Sequence, residues 1–342
     1  MAAAVSVLLA GACADGSSPP KLGRFVSAPR VDAELALAHT GTGFRMVAAD
    51  GSSLGQLRLP EGLKTGESPV WSPDGARLAF TAATDANATG VLLPPTDVYV
   101  MDIRGGAAHR VTTGRNAFYP EWSPDGRWIA YSAVTRAADG RTAAIWIVHP
   151  DGTGATRLTH PADGAYDLAG PYNPRTGRIA FTRCAKPVLL RNGMEPDTCS
   201  VWTMNPDASD QRRLAAESEQ PAWSPDGRRI AIASARDHAA RISVGEDEQS
   251  WIRQLYVMNA DGSGQHRLLT TGTDDRCPAW APGGGVIAFE TATGVSAPST
   301  ATVVNTDGTC RATVSPRLTG RLDVGYETPA WRPGGVATRL AC

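Results

Sequence analysis

The chain has 342 residues, of which 42% are hydrophobic and 20% charged, so it can bury a large core and lies outside the composition of disordered proteins. Its formal net charge of −1 provides no whole-molecule attraction to nucleic acid or to an anionic membrane, and we expect no nucleic-acid partner. The 36 glycines and 25 prolines favour many short strands joined by turns.

The first predicted element is an export signal over residues 1–13. The apolar run over residues 2–12 is shorter than the ~20 residues that span a bilayer, as is typical of a signal peptide. Its end, Ala10-Gly11-Ala12-Cys13, resembles a bacterial lipoprotein cleavage box, in which Cys13 would be acylated. Leu9 stands one place early for such a box and no basic residue precedes the run. An ordinary signal with an incidental Cys13 is the alternative, and the true start codon is left open.

Residues 14–30 are small, polar and proline-bearing, and we predict a flexible tether there. A ten-residue motif, "WSPDGARLAF", then recurs about every 50 residues, in some copies in degenerate form. Such a period is typical of a repeat architecture. We expect the aromatic anchors to pack between repeats and the Asp-Gly steps to form turns. The six copies begin at Trp71, Trp122, Tyr172, Trp223, Trp280 and Trp331.

A second motif, such as "QLYVMNADGSGQHRLL" from Gln254, follows within each unit. Each unit therefore reads as four strands: Pro-x-Trp, "IAF", "YVM" and "RLT", with tight turns inside the first and last pairs. Six such units of four antiparallel strands predict a six-bladed β-propeller over residues 31–342. The N-terminal part lacks a Trp strand and the C-terminal part lacks a "YVM" strand, so we expect both ends to share one blade and close the ring.

The pattern "PxWSPDGxxIAF…YVMNxDGxGxxRLT" resembles the TolB-type, WD-like propeller repeat over about residues 31–342. This resemblance implies an all-β propeller domain. The small α/β domain that precedes the propeller in TolB has no counterpart in the pattern. We therefore do not carry over the role of TolB in envelope import.

No motif for catalysis, a cofactor or a metal stands out. The six histidines lack H-x-H or H-E-x-x-H spacing, and the Asp-rich turns lack EF-hand spacing. Residues 51–55 match G-x-S-x-G, but they occupy a hairpin turn of the repeat, whereas a nucleophile elbow joins a strand to a helix. We expect no cofactor and leave open a cation such as calcium on the propeller axis.

The cysteines fit an oxidising compartment. Cys184 and Cys199 bracket the connection between the second and third strands of one blade, and a bond between them would close a loop of ~15 residues, worth ~3 kcal/mol. We predict that these two residues pair. Cys277, Cys310 and Cys342 leave an odd one, and the sequence does not decide their pairing.

The candidate binding residues lie on the face from which the long connections emerge, because uneven loops on a rigid ring are frequent recognition sites. Four residues before each anchor stands a residue near the axial mouth on that face, and three of these are glutamates that could receive a basic side chain or cation. Solvated insertions and solvated rim charges are the alternatives. The candidate residues are Glu67, Phe118, Glu219, Arg276 and Glu327, with Leu168 completing the set of positions.

These patterns predict an exported, lipid-anchored, monomeric propeller, on the outer side of the cytoplasmic membrane or in the periplasm, that binds a protein or peptide without doing chemistry. The alternative is a propeller-type polysaccharide lyase or hydrolase that uses axial carboxylates or a metal. A purely structural envelope protein is a third reading. The scatter of the histidines over unrelated repeat positions favours binding, and the sequence does not identify the ligand.

Overall fold

A computed structural model describes most of the chain from residue 34 onward, and its regular elements are β-strands. The predicted all-β class is confirmed, and the described residues include no helix that is long and apolar enough to cross a membrane. The predicted signal and tether, with Cys13, and also Glu327 and Cys342 lie outside the described residues. These are 34–39, 43–48, 51–83, 96–104, 108–114, 116–137, 140–185, 189–190, 193–194, 198–243, 249–293, 299–314, 329–334 and 339–340.

The strands form antiparallel sheets in a β-propeller arrangement, and four of the sheets have four strands each. We name these sheets by their aromatic anchor or by their position. The Trp71 sheet contains β4 (Lys64–Trp71), β5 (Arg77–Ala83), β6 (Asp97–Asp102) and β7 (Ala108–Arg110). The Trp223 sheet contains β18 (Ser218–Trp223), β19 (Arg229–Ser234), β22 (Gln254–Asn259) and β23 (His266–Arg267). The Trp280 sheet contains β24 (Asp274–Trp280), β25 (Val286–Ala292), β26 (Thr300–Asn305) and β27 (Arg311–Thr313). The terminal sheet contains β28 (Ala330–Trp331), β1 (Glu34–His39), β2 (Gly43–Ala48) and β3 (Ser53–Arg58).

A fifth sheet has eight strands, so the predicted six separate blades are not observed. It consists of two antiparallel quartets that a single parallel pairing, Ala143 with Tyr166, joins into one sheet. The first quartet contains β8 (Ala117–Trp122), β9 (Ile129–Ala137), β10 (Gly140–Val148) and β11 (Thr156–Arg157). The second contains β12 (Tyr166–Tyr172), β13 (Ile179–Cys184), β16 (Cys199–Met204) and β17 (Arg212–Ala216).

The first and last described strands lie side by side. β28 pairs with β1 in antiparallel register, with Trp331 opposite Leu35. Arg332 Nε donates to the carbonyl of Gly75 at 3.2 Å, and its guanidinium lies 5.3 Å from the centroid of the Trp71 ring. Along the chain, each anchor strand contacts the next, and β28 contacts β4.

The Ser-Pro-Asp-Gly motif forms a self-contained turn. In the first copy the Ser72 hydroxyl donates to the Asp74 carboxylate at 2.5 Å and accepts the backbone N–H of Arg77 at 2.9 Å. The hydrogen bond from this hydroxyl is the largest of the causes that hold the pKa of Asp74 below its usual range. Gly75 has φ +65°, a conformation that favours glycine. The repetition of the motif is therefore explained by local turn chemistry.

The hydrophobic core lies between neighbouring sheets. One cluster, for example, joins Phe44 of the terminal sheet to Trp71 and Phe80 of the next, and another joins Leu255 of the Trp223 sheet to Trp280. The repeated strands are apolar because each packs against another sheet, which removes its side chains from water.

Four anchor tryptophans also bond across these junctions. The indole Nε1–H of each donates to the carbonyl of the residue that precedes the anchor in the preceding sheet. The pairs are Trp71 with Ala330 (3.2 Å), Trp223 with Pro171 (3.1 Å), Trp280 with Ala222 (3.0 Å) and Trp331 with Ala279 (3.0 Å). Within the described chain Trp122 Nε1 has no hydrogen-bond partner, and Tyr172 has no indole.

Candidate functional site

One side of the propeller carries the elaborated connections. β9 and β10 stay paired as far as Ala137 and Gly140. Two short hairpins, β14 (Leu189–Leu190) with β15 (Gly193–Met194) and β20 (Arg241–Ser243) with β21 (Gln249–Trp251), extend two further connections. All three join the second and third strands of a quartet, so they leave the sheets on the side opposite the Asp-Gly turns. We call the former side the hairpin face and the latter the turn side.

A disulfide closes the base of the β14–β15 connection. Cys184 and Cys199 are opposite each other at the paired ends of β13 and β16, and their sulfur atoms are bonded. Cys310 is also disulfide-bonded, to a cysteine outside the described residues, whereas Cys277 is buried on β24.

The β20–β21 hairpin is held by contacts to one aromatic ring. The Trp251 ring stacks on His238 at 4.6 Å between centroids, and the Arg241 guanidinium lies 4.2 Å from the Trp251 centroid. His238 Nε2 lies 2.9 Å from a carboxylate oxygen of Glu217. A connection anchored in this way can present side chains to a partner at a smaller cost in conformational entropy.

The anchor strands share a bulge at the predicted rim position. The ladder between first and second strands shifts register just after Glu67, Phe118, Glu219 and Arg276. The residue that follows each of them has a positive φ although it is not glycine, a conformation that costs about 1–3 kcal/mol and clusters at functional sites. These residues are Ser68 (φ 49°), Tyr119 (φ 54°), Gln220 (φ 54°) and Cys277 (φ 50°).

Glu67 and Phe118 stand at this bulge as half-buried side chains. Burial raises the pKa of Glu67 from 4.5 to about 7, and this carboxylate has no hydrogen bond or salt bridge among the described residues. The Phe118 ring meets the neighbouring Tyr119 ring edge to face, with 5.0 Å between centroids. Glu67 is therefore a carboxylate that could still receive a partner.

The structure brings Glu219 and Arg276 together in a buried network that we call the Arg253 network. Arg253, 1% exposed, donates through Nε to Glu219 and through Nη1 to Asp274 at 3.1 Å. Arg276 Nε lies 3.3 Å from Asp274, and Arg276 Nη2 donates to Glu290 at 3.2 Å. Glu219 is thus not the open rim charge that its repeat position predicts, because it is buried and paired with Arg253.

The Arg253 network holds three carboxylates against two guanidinium groups. The second carboxylate oxygen of Glu290, Oε2, is buried and has no hydrogen-bond partner in the described chain. Neighbouring Asp275 is also buried, which raises its pKa to about 6 although three threonine hydroxyls donate to it. In formal charge, the carboxylates of the Arg253 network therefore exceed its guanidinium groups by one.

Sequence reasoning missed three members of the network. Asp274 and Glu290 interrupt otherwise apolar strands, "DDRCPAW" and "VIAFETA", and Arg253 directly precedes a "QLYVM" strand. A charged residue in a strand that is buried on both faces was the available signal, since such a charge needs a partner.

A further buried acid stands at the junction without an indole hydrogen bond. Glu121 precedes the Trp122 anchor, where other sheets have valine, proline or alanine. Burial raises its pKa from 4.5 to about 8. Burial, together with the charges of Asp125 and Glu121, raises the pKa of Tyr172 across this junction. The position breaks the apolar pattern of the repeat.

The site offers no recognisable catalytic geometry within the part of the chain that is described. No three His, Cys, Asp or Glu side chains there are placed to hold one metal ion. Ser52 and Ser53 of the G-x-S-x-G match are exposed at the start of the outer strand β3.

These features define an antiparallel β-propeller with one elaborated face. Residues 61–244 match the family model of the TolB beta propeller domain. Because this match covers more than half of the sequence, the chain belongs to the TolB beta propeller family.

Relatives and solved structures are similar over different lengths. The uncharacterized protein Atu1656 of Agrobacterium fabrum is 31% identical over 168 residues, which are 46% of this chain and 50% of that protein. The Tol-Pal system protein TolB of Anaeromyxobacter dehalogenans is 31% identical over 102 residues, 30% of this chain and 20% of that protein. The chain thus matches half or less of the length of these relatives.

Among solved structures, TolB from Acinetobacter baumannii has a TM-score of 0.63 at 16% identity, covering 89% of this chain and 68% of that chain. An oligogalacturonate lyase from Vibrio parahaemolyticus has a TM-score of 0.50 at 13% identity, covering 80% of this chain and 71% of that chain. At these identities the likeness shows the fold alone, and the fold is shared by binding proteins and enzymes.

Proposed function

We propose that the protein is an exported six-bladed propeller that binds a protein or peptide partner at the cell envelope and does no chemistry itself. The count of six blades treats each quartet of the eight-stranded sheet as one blade. This division is supported because only one parallel residue pair joins the two quartets. Ring closure is supported by the pairing of β28 with β1 and by the hydrogen bond from Trp71 to Ala330.

The observation that carries the binding proposal is the concentration of extended connections on the hairpin face, opposite short and repetitive turns. Turn chemistry explains the turn side, whereas nothing in the repeat requires the hairpins. Family membership supports the same role, because one relative is a Tol-Pal system protein. We expect a monomer, with the partner on the hairpin face.

The chemistry of the rim favours a basic group on the partner. Glu67 has no described partner, and the Arg253 network has an excess carboxylate with a buried, unbonded oxygen on Glu290. A lysine, an arginine or a divalent cation such as calcium would supply the missing donors. Phe118 would add an apolar contact, and Glu327 would add a third carboxylate at the same repeat position.

The face and the rim are tested by site-specific photo-crosslinking in cells. A photo-reactive residue at exposed Arg241, on the β20–β21 hairpin, should give a discrete adduct, whereas one at exposed Arg228, on the turn side, should not. Glu67→Gln should weaken the adduct at position 241 without lowering the melting temperature. Equal adducts at both positions, or an adduct that Glu67→Gln leaves unchanged, would contradict the proposal.

The anchor is a separate part of the proposal, and it rests on the sequence around Cys13. A single acylated cysteine would hold the domain at the membrane through the tether over residues 14–30. Cys13→Ala should therefore move the protein from the membrane fraction to the soluble exported fraction. If this variant stays with the membrane, the lipoprotein interpretation is wrong and the binding proposal is unaffected.

The rival function is a propeller-type lyase or hydrolase that works at the axis. The same glutamate variant separates the two, because an enzyme that uses Glu67 would lose turnover of an oligosaccharide while partner capture stayed the same. The shared fold of the oligogalacturonate lyase does not by itself favour this alternative.

A further inference from the structure

An open cavity lies on the turn side, where the Trp71 sheet meets the first quartet of the eight-stranded sheet. Its volume is about 670 Å³, within the range of small-molecule sites. The cavity is remote in topology from the hairpin face, because its lining comes from the Asp-Gly turns and the strand ends beside them. The lining residues are Arg77, His109, Arg127, Trp128, His149, Pro150, Asp151 and Thr153.

Two lining residues depart from the repeat of this chain. Trp128 takes the position that is arginine in three other units, namely Arg77, Arg178 and Arg229. His149 takes the position that is asparagine in three others, where the side chain caps the turn: Asn205, Asn259 and Asn305. The two departures meet, since the Trp128 and His149 rings stack with 3.9 Å between centroids. The fold is built elsewhere without either residue, so this pair needs another explanation.

Backbone carbonyls orient both histidines. His149 Nδ1 lies 3.0 Å from the carbonyl of Arg127, and His109 Nε2 lies 2.8 Å from the carbonyl of Pro150. Because a carbonyl only accepts, each of these nitrogens carries the proton. The second ring nitrogen of each histidine has no hydrogen bond within the described chain. Each imidazole is thus fixed in place with one polar atom still available to a ligand.

The cavity also has two arginines, Arg77 and Arg127. Serine hydrogen bonds and, to a smaller extent, these two charges lower the pKa of Asp74 and Asp125 in the same turns, although no ion pair forms. Neither Arg77 nor Arg127 makes a salt bridge among the described residues, and the Arg77 guanidinium lies 4.7 Å from the centroid of the Trp122 ring. The one acid in the lining, Asp151, is engaged by the backbone N–H of Thr153 at 2.9 Å and by its hydroxyl at 2.7 Å. The lining therefore offers two guanidinium groups and two imidazoles, and its one carboxylate is already engaged.

From this geometry we propose that the turn-side cavity binds the oxyanion of a small ligand, a phosphate or carboxylate group held by Arg77 and Arg127. Guanidinium groups suit planar and tetrahedral oxyanions because they donate paired, charge-assisted hydrogen bonds. The stacked Trp128 and His149 rings form one wall, against which the remainder of the ligand would lie. This site is independent of the partner proposed for the hairpin face.

The test is isothermal titration of the full chain with inorganic phosphate and, separately, with citrate, against chloride at the same ionic strength. Saturable heat with either probe is expected, and the probe that binds identifies the group. Arg127→Gln should weaken binding about ten-fold or more, the loss of a charge-assisted hydrogen bond. Arg228→Gln is the matched control, because Arg228 holds the same exposed turn position in the Trp223 sheet and should bind like the unmodified protein.

A second variant keeps the result interpretable. His149→Asn restores the residue that three other units carry and adds no charge, so the fold should keep its melting temperature while the stacked wall is lost. Weaker binding in this folded variant supports the site. The proposal is overturned if neither probe gives saturable heat, or if Arg127→Gln and Arg228→Gln lower the affinity equally.

Discussion

The indole nitrogens of the anchors show how one atom can join two sheets. Trp280 Nε1 donates to Ala222 O at 3.0 Å, whereas Trp122 Nε1 has no partner in the described chain. In both cases an arginine guanidinium, of Arg229 or Arg77, lies 4.7 Å from the ring centroid. Trp122 is therefore a natural control for Trp280.

We predict that Trp280→Phe lowers the free energy of unfolding by about 1–2 kcal/mol more than Trp122→Phe. Both variants lose indole volume, but only the first leaves a buried carbonyl without its donor. Urea denaturation of the two variants beside the unmodified protein measures the difference. Equal losses would show that the indole contributes by packing alone.

Glu121 differs from these tryptophans because it is a partly buried acid in a junction that is otherwise apolar. Burial raises its pKa from 4.5 to about 8, so the folded protein holds this proton more tightly than the unfolded chain does. The free energy of unfolding should therefore fall as pH rises from about 4.5 to 8 and level off above that range.

Glu121→Gln removes this titration and should gain about 1–3 kcal/mol relative to the unmodified protein between pH 5 and pH 8. This free-energy range is smaller than the one that the full pKa shift would give, because the side chain is only partly buried and solvent screens its charge. Denaturation curves at the two pH values provide the measurement. Glu61→Gln, in an exposed turn, is the control, and the prediction fails if both variants run parallel to the unmodified protein.

At the scale of elements, the β14–β15 connection is a loop whose base is covalently closed. The Cys184–Cys199 bond spans a separation of 15 residues, and in the chain-entropy model such a loop contributes about 3 kcal/mol. The bond also continues the ladder between β13 and β16, so it fixes the hairpin at its root.

We predict that Cys184→Ser with Cys199→Ser lowers the free energy of unfolding by about 2–3 kcal/mol and weakens capture of the hairpin-face partner. Reduction of the unmodified protein should reproduce the loss at the hairpin. Circular dichroism should show that the sheets persist, because the pairing of their strands does not depend on the disulfide. Full retention of stability after both cysteines are replaced would mean that strand pairing alone closes the loop.

The strands could be predicted from the sequence because they are fixed by local patterns that recur: the aromatic anchor, the Asp-Gly turn and the alternating apolar run. The Arg253 network could not, because Arg253 and Glu290 occupy repeat positions at which the other units carry no charged residue. Glu219 illustrates the limit, since its repeat position predicts the rim whereas Arg253, which directly precedes the third strand of the same sheet, pairs with it. Periodicity identifies elements, and pairing between elements depends on their packing.

At the scale of the whole molecule, the first and last described strands contact each other. β28 supplies the first strand of the terminal sheet and the acceptor for Trp71, and the backbone N–H of Leu340 donates to Asn305 at 2.7 Å. Cys310 adds a disulfide to a cysteine outside the described residues.

Removal of residues 327–342 should therefore lower the melting temperature by many degrees or abolish cooperative unfolding, because β1 loses its neighbour and Trp71 loses its acceptor. Differential scanning calorimetry measures both effects. Two controls isolate the cause: deletion of residues 14–30, which should leave the transition in place, and Cys342→Ser, which removes one thiol but keeps β28. If the truncated protein melts like the full chain, β28 does not close the ring, and the edge of β1 must be satisfied in another way.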